Sequence, residues 1–146
     1  MSVETPTFEQ LGLSTALAHA CAEAGYAAPS PVQVQAIPVV LQGGDVLGLA
    51  PTGSGKTAAF ALPLLQRLAM GPQRGFRRVR VLVLVPTPAL AVQVGEVFRR
   101  FGAASTRPMR VNVLHGGVSV NPQMMALRGG ADIVVSTPGR LLDLLE

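Results

Sequence analysis

The sequence predicts an α/β domain in which helices flank a mostly parallel β-sheet. Short runs of β-branched and aliphatic residues alternate along the chain with helical patterns, as in proteins built from repeated strand–helix units. Apolar residues make up 49% of the 146 residues and charged residues 14%, a globular composition that excludes a disordered chain. The length suits one domain with a core of ordinary size.

Two helices are predicted at the amino-terminal end, each opened by a serine. Ser14 is the expected cap of the first helix, which ends at Gly25. Ser30 is the expected cap of the second helix, which reaches about Gln42. Pro38 lies inside the second helix and should kink it, because proline removes one helical hydrogen bond.

Strands and helices alternate from there to the end of the chain. Aliphatic runs predict strands over 45–49, 80–85, 110–114 and 132–136, of which 80–85 is the clearest buried strand. The helices predicted between them cover about 55–70, 87–101 and 122–127, and a last helix opens at Pro138. Thr87 is the expected cap of the helix at 87–101. This alternation is what an α/β domain with a parallel sheet requires.

The cysteine content and the amino-terminal residues bear on the cellular location of the protein. Cys21 is the only cysteine, so no internal disulfide can form, and it is expected to be a small core residue. No uninterrupted apolar run reaches the roughly 18 residues of a membrane span. Glu4 and Glu9 stand where a secretory signal needs positive charge. We therefore expect a cytoplasmic protein without membrane contact.

Lysine is used once. Eleven of the twelve basic residues are arginine, and Lys56 is the only lysine. A lone lysine in such a chain indicates a site that needs a compact point charge and that a planar guanidinium would not suit.

Lys56 belongs to the segment Ala-Pro-Thr-Gly-Ser-Gly-Lys-Thr at 50–57, between a predicted strand and a predicted helix, the context of a phosphate-binding loop. Gly53 and Gly55 permit backbone angles that let amides converge on phosphate oxygens. Lys56 would reach the β- and γ-phosphates, and the Thr57 hydroxyl would ligate Mg²⁺. The alternative, a glycine-rich turn with an exposed lysine, is disfavoured by the strand–loop–helix context. The predicted nucleotide-binding residues here are Thr52, Gly53, Ser54, Gly55, Lys56 and Thr57, with Lys56 and Thr57 also predicted to be catalytic.

A glutamine upstream, Gln33, precedes Lys56 by 23 residues. A glutamine amide both donates and accepts, which matches the N6 and N7 edge of adenine and mismatches guanine. Taken singly, Gln33 would be interpreted as a solvated helix residue. The segment 25–33, Gly-Tyr-Ala-Ala-Pro-Ser-Pro-Val-Gln, resembles the Q motif of the DEAD-box RNA helicases, and Phe8 stands 17 residues before it, where that family has an isolated aromatic. The resemblance implies that Gln33 reads adenine, that Phe8 packs over the base, and that Tyr26 and Ser30 belong to the same site.

The resemblance to the DEAD-box RNA helicases runs along the whole chain. Residues 50–57 are similar to the family motif A-x-T-G-S-G-K-T, and 86–91 to P-T-R-E-L-A. The pair at 116–117 matches the paired-glycine motif, and 137–140 matches T-P-G-R. In relatives the last three motifs contact the RNA backbone, which implies RNA contacts at Pro86, Thr87, Gly116, Gly117, Thr137, Pro138, Gly139 and Arg140. By itself, 137–140 would be interpreted as a helix cap with a surface arginine.

The resemblance also implies a fold and a function. The fold is a RecA-like P-loop NTPase fold, here incomplete. Residues 1–146 would be the N-terminal part of the first RecA-like domain, with the Q-motif region at 8–33 and the second RecA-like domain absent. The function would be the ATP-binding and RNA-backbone-binding portion of an ATP-dependent RNA helicase, with ATP and Mg²⁺ as cofactors and RNA as partner. Two alternatives stay open: a non-hydrolysing nucleotide- or RNA-binding module, and a different, for instance DNA-directed, P-loop ATPase.

Two departures from the family pattern matter. The Asp-Glu-Ala-Asp and Ser-Ala-Thr motifs do not occur in the chain. We therefore expect weak nucleotide binding, no hydrolysis by this chain alone, and exposed sheet edge and apolar surface. Pro88 and Ala89 replace the family's Arg-Glu pair, which bears on RNA affinity.

A further arginine cluster is expected to be a solvated loop rather than an auxiliary RNA patch: Arg74, Arg77, Arg78 and Arg80.

Overall fold

The computed structural model describes residues 2–72 and 77–145, which form two compact units. The first unit holds the described residues up to Met70 together with Ala104–Thr106, and the second unit holds the rest. Arg74 of the predicted arginine cluster lies outside the described residues. No helix among the described residues is both long and apolar enough to cross a membrane.

Three helices make up most of the first unit: α1 Thr15–Glu23, α2 Pro31–Leu41 and α3 Lys56–Met70. Helices α2 and α3 pack against each other, and Ile37 and Leu62 are fully buried in the core. Pro38 lies inside α2, which continues past it, and the predicted kink stays a prediction. Cys21 is fully buried, and burial raises the pKa of its thiol to about 11. The thiol is therefore protonated near neutral pH, and Cys21 is the core residue that the sequence predicts.

The start of α1 is fixed to α3 by one glutamine side chain. Ser14 caps α1 as predicted, because its hydroxyl accepts a hydrogen bond from Leu17 N at 3.3 Å. Ser14 N donates to Gln66 Oε1 of α3 at 2.6 Å. Gln66 Nε2 in turn donates to Gly12 O at 2.6 Å. A local capping signal and a distant side chain thus hold the same helix end.

The second unit is built on a three-stranded parallel sheet. Its elements, in chain order, are β1 Val81–Leu84, α4 Pro88–Gly102, β2 Val111–Leu114, α5 Val120–Arg128, β3 Ile133–Ser136 and α6 Pro138–Leu145. The strand order is β1-β3-β2, and Ile133 is aligned with Val81 on one side and with Val111 on the other. Helix α4 packs against β2 and β3. The predicted α/β fold with a parallel sheet flanked by helices is confirmed.

Burial differs between the strands. All four residues of β3 are buried, whereas Leu82 and Leu84 of β1 are 49% and 52% exposed. β3 has a neighbouring strand on both sides, and β1 has one among the described strands. The prediction that 80–85 is the clearest buried strand is therefore wrong. The position of a strand in the sheet decides its burial, and the local sequence does not reveal that position.

No strand forms at 45–49 in the described chain, contrary to the prediction. Leu47 and Leu49 are 90% and 89% exposed, and no backbone hydrogen bond joins 45–49 to another described residue. Aliphatic residues favour a strand, but a strand forms only where a neighbour supplies hydrogen-bond partners. The expected exposed apolar surface is found at this segment.

A buried ion pair lies beside the start of β3. Asp132 is 1% exposed, and its carboxylate accepts hydrogen bonds from the Arg77 guanidinium and, at 2.9 Å, from Arg110 N. Arg77 Nη1 also donates to Pro108 O at 2.9 Å. The prediction of a solvated loop is therefore wrong for Arg77, because a buried carboxylate 55 residues further along the chain holds its side chain.

Candidate functional site

Residues 51–55 form a tight loop that leads directly into α3. Ser54 N donates to Pro51 O at 3.2 Å, which closes a turn. Gly53 and Gly55 adopt φ angles of +81° and +83°. These angles lie in the left-handed region that residues with a side chain rarely enter. The backbone conformation that the sequence predicts at both glycines is confirmed.

The amino-terminal end of α3 is open to a ligand. The helix begins at Lys56, and Ala59 N donates back to Gly55 O at 3.1 Å. The amides before Ala59 have no partner inside the helix and carry the partial positive charge of its terminus. Lys56 is exposed, and the first turn contains no acidic residue to oppose its charge. This arrangement suits an anionic group such as a phosphate.

Gln33 lies against this loop and is 4% exposed. Its Nε2 donates to Gly55 O at 3.2 Å, and its Oε1 accepts from Ser30 N at 3.0 Å. A Cβ at position 55 would stand 2.3 Å from Gln33 Nε2, so a side chain there would displace the amide from its present position. Beyond these bonds to described residues, the amide keeps one N–H and one acceptor lone pair. Sequence reasoning missed the contact with the loop, for which the spacing of the two segments was the only signal, and adenine recognition by Gln33 stays a prediction.

Two hydroxyls in these segments lack partners. Ser30 Oγ and Ser54 Oγ are buried atoms, and neither has a hydrogen-bond partner among the described residues. Ser30 Oγ lies 3.5 Å from the position that a Cβ on Gly55 would take. Buried hydroxyls in proteins nearly always bond to the protein, to water or to a bound molecule. Two unsatisfied hydroxyls next to an open helix terminus fit a ligand with many polar atoms, such as a nucleotide.

The other predicted nucleotide-binding residues are spread over the first unit. Phe8 is 5% exposed, and its carbonyl accepts from Leu11 N at 3.2 Å. Tyr26 is half-buried just after α1. Thr52 is exposed in the loop, and Thr57 is half-buried in the first turn of α3. The stacking role of Phe8 and the metal role of Thr57 stay predictions.

The predicted RNA-binding segments all follow strands of the sheet. Because the three strands are parallel, their carboxyl ends meet at one edge, where Leu84, Ser136 and Leu114 are aligned. Val85 N donates to Ser136 O at 3.0 Å, and Thr137 N donates to Leu114 O at 3.1 Å. Residues 86–87, 116–117 and 137–140 follow these strand ends directly. The structure therefore brings together three segments that are far apart in the sequence.

Two helices begin at this edge. Thr87 Oγ1 accepts a hydrogen bond from Leu90 N at 3.2 Å and caps α4, as predicted. Helices α4 and α6 begin at Pro88 and Pro138, and neither has an acidic residue in its first turn. The edge therefore presents two positively polarised helix ends.

Bare backbone lies at the same edge of the sheet as these helix ends. A Cβ at Gly116, Gly117 or Gly139 would meet no described atom within 4 Å. Packing inside the described protein therefore does not exclude a side chain at these positions, although Gly117 has a φ of +84°. Exposed amides without side chains allow a phosphate to approach closely.

Arg140 makes hydrogen bonds within the protein, and its contact with RNA stays a prediction. Its Nη1 donates to Gln123 Oε1 at 2.9 Å, and its Nη2 donates to Val118 O at 3.0 Å. The side chain is 10% exposed. The guanidinium predicted to face RNA is thus bound within the protein. Gln123 is a residue of this site that sequence reasoning missed, and no local signal in α5 points to it.

Charge is divided unevenly along the chain. Residues 71–146 contain ten of the eleven arginines and four acidic residues, whereas residues 1–70 contain two basic and four acidic residues. The basic excess therefore belongs to the part of the sequence that carries the predicted RNA segments, and a basic surface attracts a polyanion.

The parallel sheet, the left-handed glycines before α3 and the loops at the strand ends define a protein of the RecA-like α/β class. A sequence model described as DEAD/DEAH box helicase matches residues 30–146, and the chain belongs to that family.

Individual relatives agree with this assignment. The chain is 49% identical to the ATP-dependent rRNA helicase RRP3 of Gibberella zeae, over 99% of this chain and 29% of that protein. It is 48% identical to the probable ATP-dependent RNA helicase DDX47 of Mus musculus, over 98% of this chain and 30% of that protein. The chain thus spans less than a third of the length of these curated relatives.

Solved structures resemble the chain as well. The yeast DEAD-box splicing factor Prp28 superposes with a TM-score of 0.85 at 32% identity, over 99% of this chain and 36% of that chain. A hypothetical ATP-dependent RNA helicase from Sulfolobus tokodaii superposes with a TM-score of 0.77 at 38% identity, over 91% of this chain and 36% of that chain.

Proposed function

We propose that this chain is the ATP-binding and RNA-backbone-binding portion of an ATP-dependent RNA helicase that couples ATP hydrolysis to RNA unwinding or remodelling. One observation carries the proposal. The loop at 51–55 places two left-handed glycines directly before an exposed Lys56 at the acid-free start of α3. Membership in the DEAD/DEAH box helicase family and relatives named ATP-dependent RNA and rRNA helicases support it.

The nucleotide would be held by backbone and side chain together. Lys56 and the first amides of α3 would together neutralise the phosphate charge. The partial charge of the helix end alone would neutralise less of it. The Thr57 hydroxyl would ligate Mg²⁺, which in turn bridges phosphate oxygens and offsets their charge. Ser30 and Ser54 offer hydroxyls without partners among the described residues, and the free N–H and lone pair of Gln33 suit the adenine edge.

The RNA would lie along the carboxyl edge of the sheet in the second unit. The starts of α4 and α6 and the bare amides of Gly116, Gly117 and Gly139 suit successive phosphates of a nucleic-acid backbone. Such contacts read no base edges, so binding should not depend on sequence. A motor that moves along RNA benefits from this indifference to sequence.

The test is the dependence of ATP hydrolysis on nucleic acid, measured on a longer protein that carries this segment. Single-stranded RNA should stimulate hydrolysis, and DNA of the same sequence and length should stimulate it much less. Stimulation by DNA equal to that by RNA would contradict the proposal and favour a DNA-directed P-loop ATPase. Binding of both ligands without any hydrolysis would favour a non-hydrolysing module.

A further inference from the structure

Residues 115–118, the glycine loop, are held at both ends by side chains from two helices. At the first end, Gln123 Nε2 of α5 donates to His115 O at 3.2 Å. At the second end, Arg140 Nη2 of α6 donates to Val118 O at 3.0 Å. Arg140 Nη1 donates to Gln123 Oε1 at 2.9 Å and joins the two ends into one network.

Between these ends, His115 Nδ1 lies 2.8 Å from Gly116 O, and no side chain of the glycines themselves packs against the protein. Gly116 and Gly117 have no side chains, and a Cβ on either would touch no described atom within 4 Å. Glycine has more backbone freedom than any other residue, so fixing its amides in one orientation has a large entropic cost. The hydrogen bonds at His115 and Val118 therefore restrict the backbone amides of Gly116 and Gly117.

We propose that Arg140 and Gln123 are positioning residues that hold the glycine loop in the orientation that binds a phosphate, and that the Arg140 guanidinium is not itself a phosphate ligand. This inference rests on the proposed RNA surface and assigns roles within it. It adds Gln123 to the site and changes the role of Arg140 from contact to support.

Burial and charge favour support over direct contact. The Arg140 side chain is 10% exposed, and both of its terminal nitrogens already donate to protein oxygens. Its Nε lies 3.7 Å from Asp143 Oδ2, so an adjacent carboxylate offsets part of its charge. A phosphate could reach only the remaining N–H groups of a guanidinium that is largely buried and already fixed by two hydrogen bonds.

The two roles predict different salt dependence for single-stranded RNA binding. A phosphate ligand contributes about 0.7 to the slope of log affinity against log salt, whereas a positioning residue contributes nothing to it. Arg140→Gln and Gln123→Ala should each weaken RNA binding about fivefold, the loss expected for one or two net hydrogen bonds, with the parent's slope. The double variant should bind no worse than the weaker single variant, because both changes break one network.

A conservative variant sharpens the distinction. Arg140→Lys keeps the charge, but an ammonium lacks the planar fork that reaches Gln123 and Val118 together. It should therefore lose affinity as Arg140→Gln does. Arg100→Gln, an exposed arginine on α4, is the control for removal of a charge. If Arg140→Lys bound RNA with the parent's affinity, the proposal would be overturned. The same holds if the slope of log affinity against log salt fell by about 0.7 in Arg140→Gln and in no other variant.

Amide hydrogen exchange in the RNA-free protein tests the loop separately from RNA binding. Exchange at Gly116 and Gly117 should be faster in Gln123→Ala and Arg140→Gln than in the parent, and unchanged in Arg100→Gln. If the parent binds no RNA, the proposed RNA function fails, and faster exchange still supports the positioning role. Unchanged exchange in both loop variants overturns that role whatever the RNA titration gives. Gln123 lies on α5, which has no buried residue, so Gln123→Ala should fold normally.

Discussion

The two units present different kinds of binding site for an anion. In the first unit, one exposed lysine stands at one helix end, and a tight loop with two left-handed glycines precedes it. In the second unit, two helix ends and bare glycine amides are spread along a sheet edge. The first arrangement suits one compact group that carries several charges, and the second suits a row of single charges.

The arginines of the second unit sharpen this contrast. Several of them donate to main-chain carbonyls: Arg77 to Pro108, Arg99 to Val111, Arg110 to Gly129 and Arg140 to Val118. These side chains therefore stabilise the fold while they keep the unit basic. A high arginine count does not by itself mark a nucleic-acid contact. The location of each guanidinium decides its role.

Arg77→Ala should have the largest effect on stability, because it leaves the buried Asp132 carboxylate without its cation. Loss of one partner of a buried pair costs roughly 3–5 kcal/mol, and the lower end applies because Arg110 N still donates to the carboxylate. Urea unfolding measures the loss. Arg78→Ala removes the exposed side chain next to Arg77 and should lower the free energy of unfolding by less than about 0.5 kcal/mol. Equal costs for the two variants would mean that the pair contributes nothing.

Gly55→Ala should destabilise the first unit more than Gly53→Ala. Both glycines have positive φ, which costs an alanine roughly 1–2 kcal/mol. At position 55 the new Cβ would also stand 2.3 Å from Gln33 Nε2, whereas at position 53 it would meet no described atom within 4 Å. Overpacking adds about 1 kcal/mol or more to Gly55→Ala. Thermal unfolding of both variants measures the difference, and equal losses would show that Gln33 moves aside freely.

Local features of the structure could be predicted from the sequence, and features that depend on distant residues could not. Ser14 and Thr87 were predicted as helix caps because a cap is a local pattern, and the structure confirms both. The strand at 45–49 was predicted wrongly, because the partner of a strand lies elsewhere in the chain.

The contacts inside the candidate site are non-local as well. Gln33 with Gly55, and Arg140 with Gln123, are joined by contacts across 22 and 17 residues, which no local pattern reveals. The sequence therefore predicts the segments of the site, and the structure is needed for the roles of their side chains.

Gln33→Ala should narrow the preference for ATP over GTP. A bidentate pair with adenine is worth about 1–3 kcal/mol by analogy with base recognition in grooves. Competition of each nucleotide against a fluorescent ATP analogue measures the preference. Gln35→Ala, on the same helix, is the control. A mutant that rejects GTP as strongly as the parent would show that adenine is read by other residues.

Pro88→Arg should have the smallest of these effects, because it adds only one contact with RNA at the start of α4. An arginine there restores the cation of the family motif and would bond to one backbone phosphate. The slope of log affinity against log salt for single-stranded RNA should then steepen by about 0.7. Adding Ala89→Glu should equal or exceed this effect, and ATP affinity should not change. An unchanged slope would mean that the start of α4 does not face RNA.

The account depends most on nucleotide binding through Lys56, and titration of a fluorescent ATP analogue tests this directly. Lys56→Ala removes the only lysine of the chain. The backbone amides alone should not neutralise a triphosphate, so binding should be lost. Lys56→Arg should also fail, because the planar guanidinium does not fit a loop shaped around an ammonium. Arg100→Ala, an exposed cation on α4, should bind as the parent does. Equal affinity of Lys56→Ala and the parent would contradict the account.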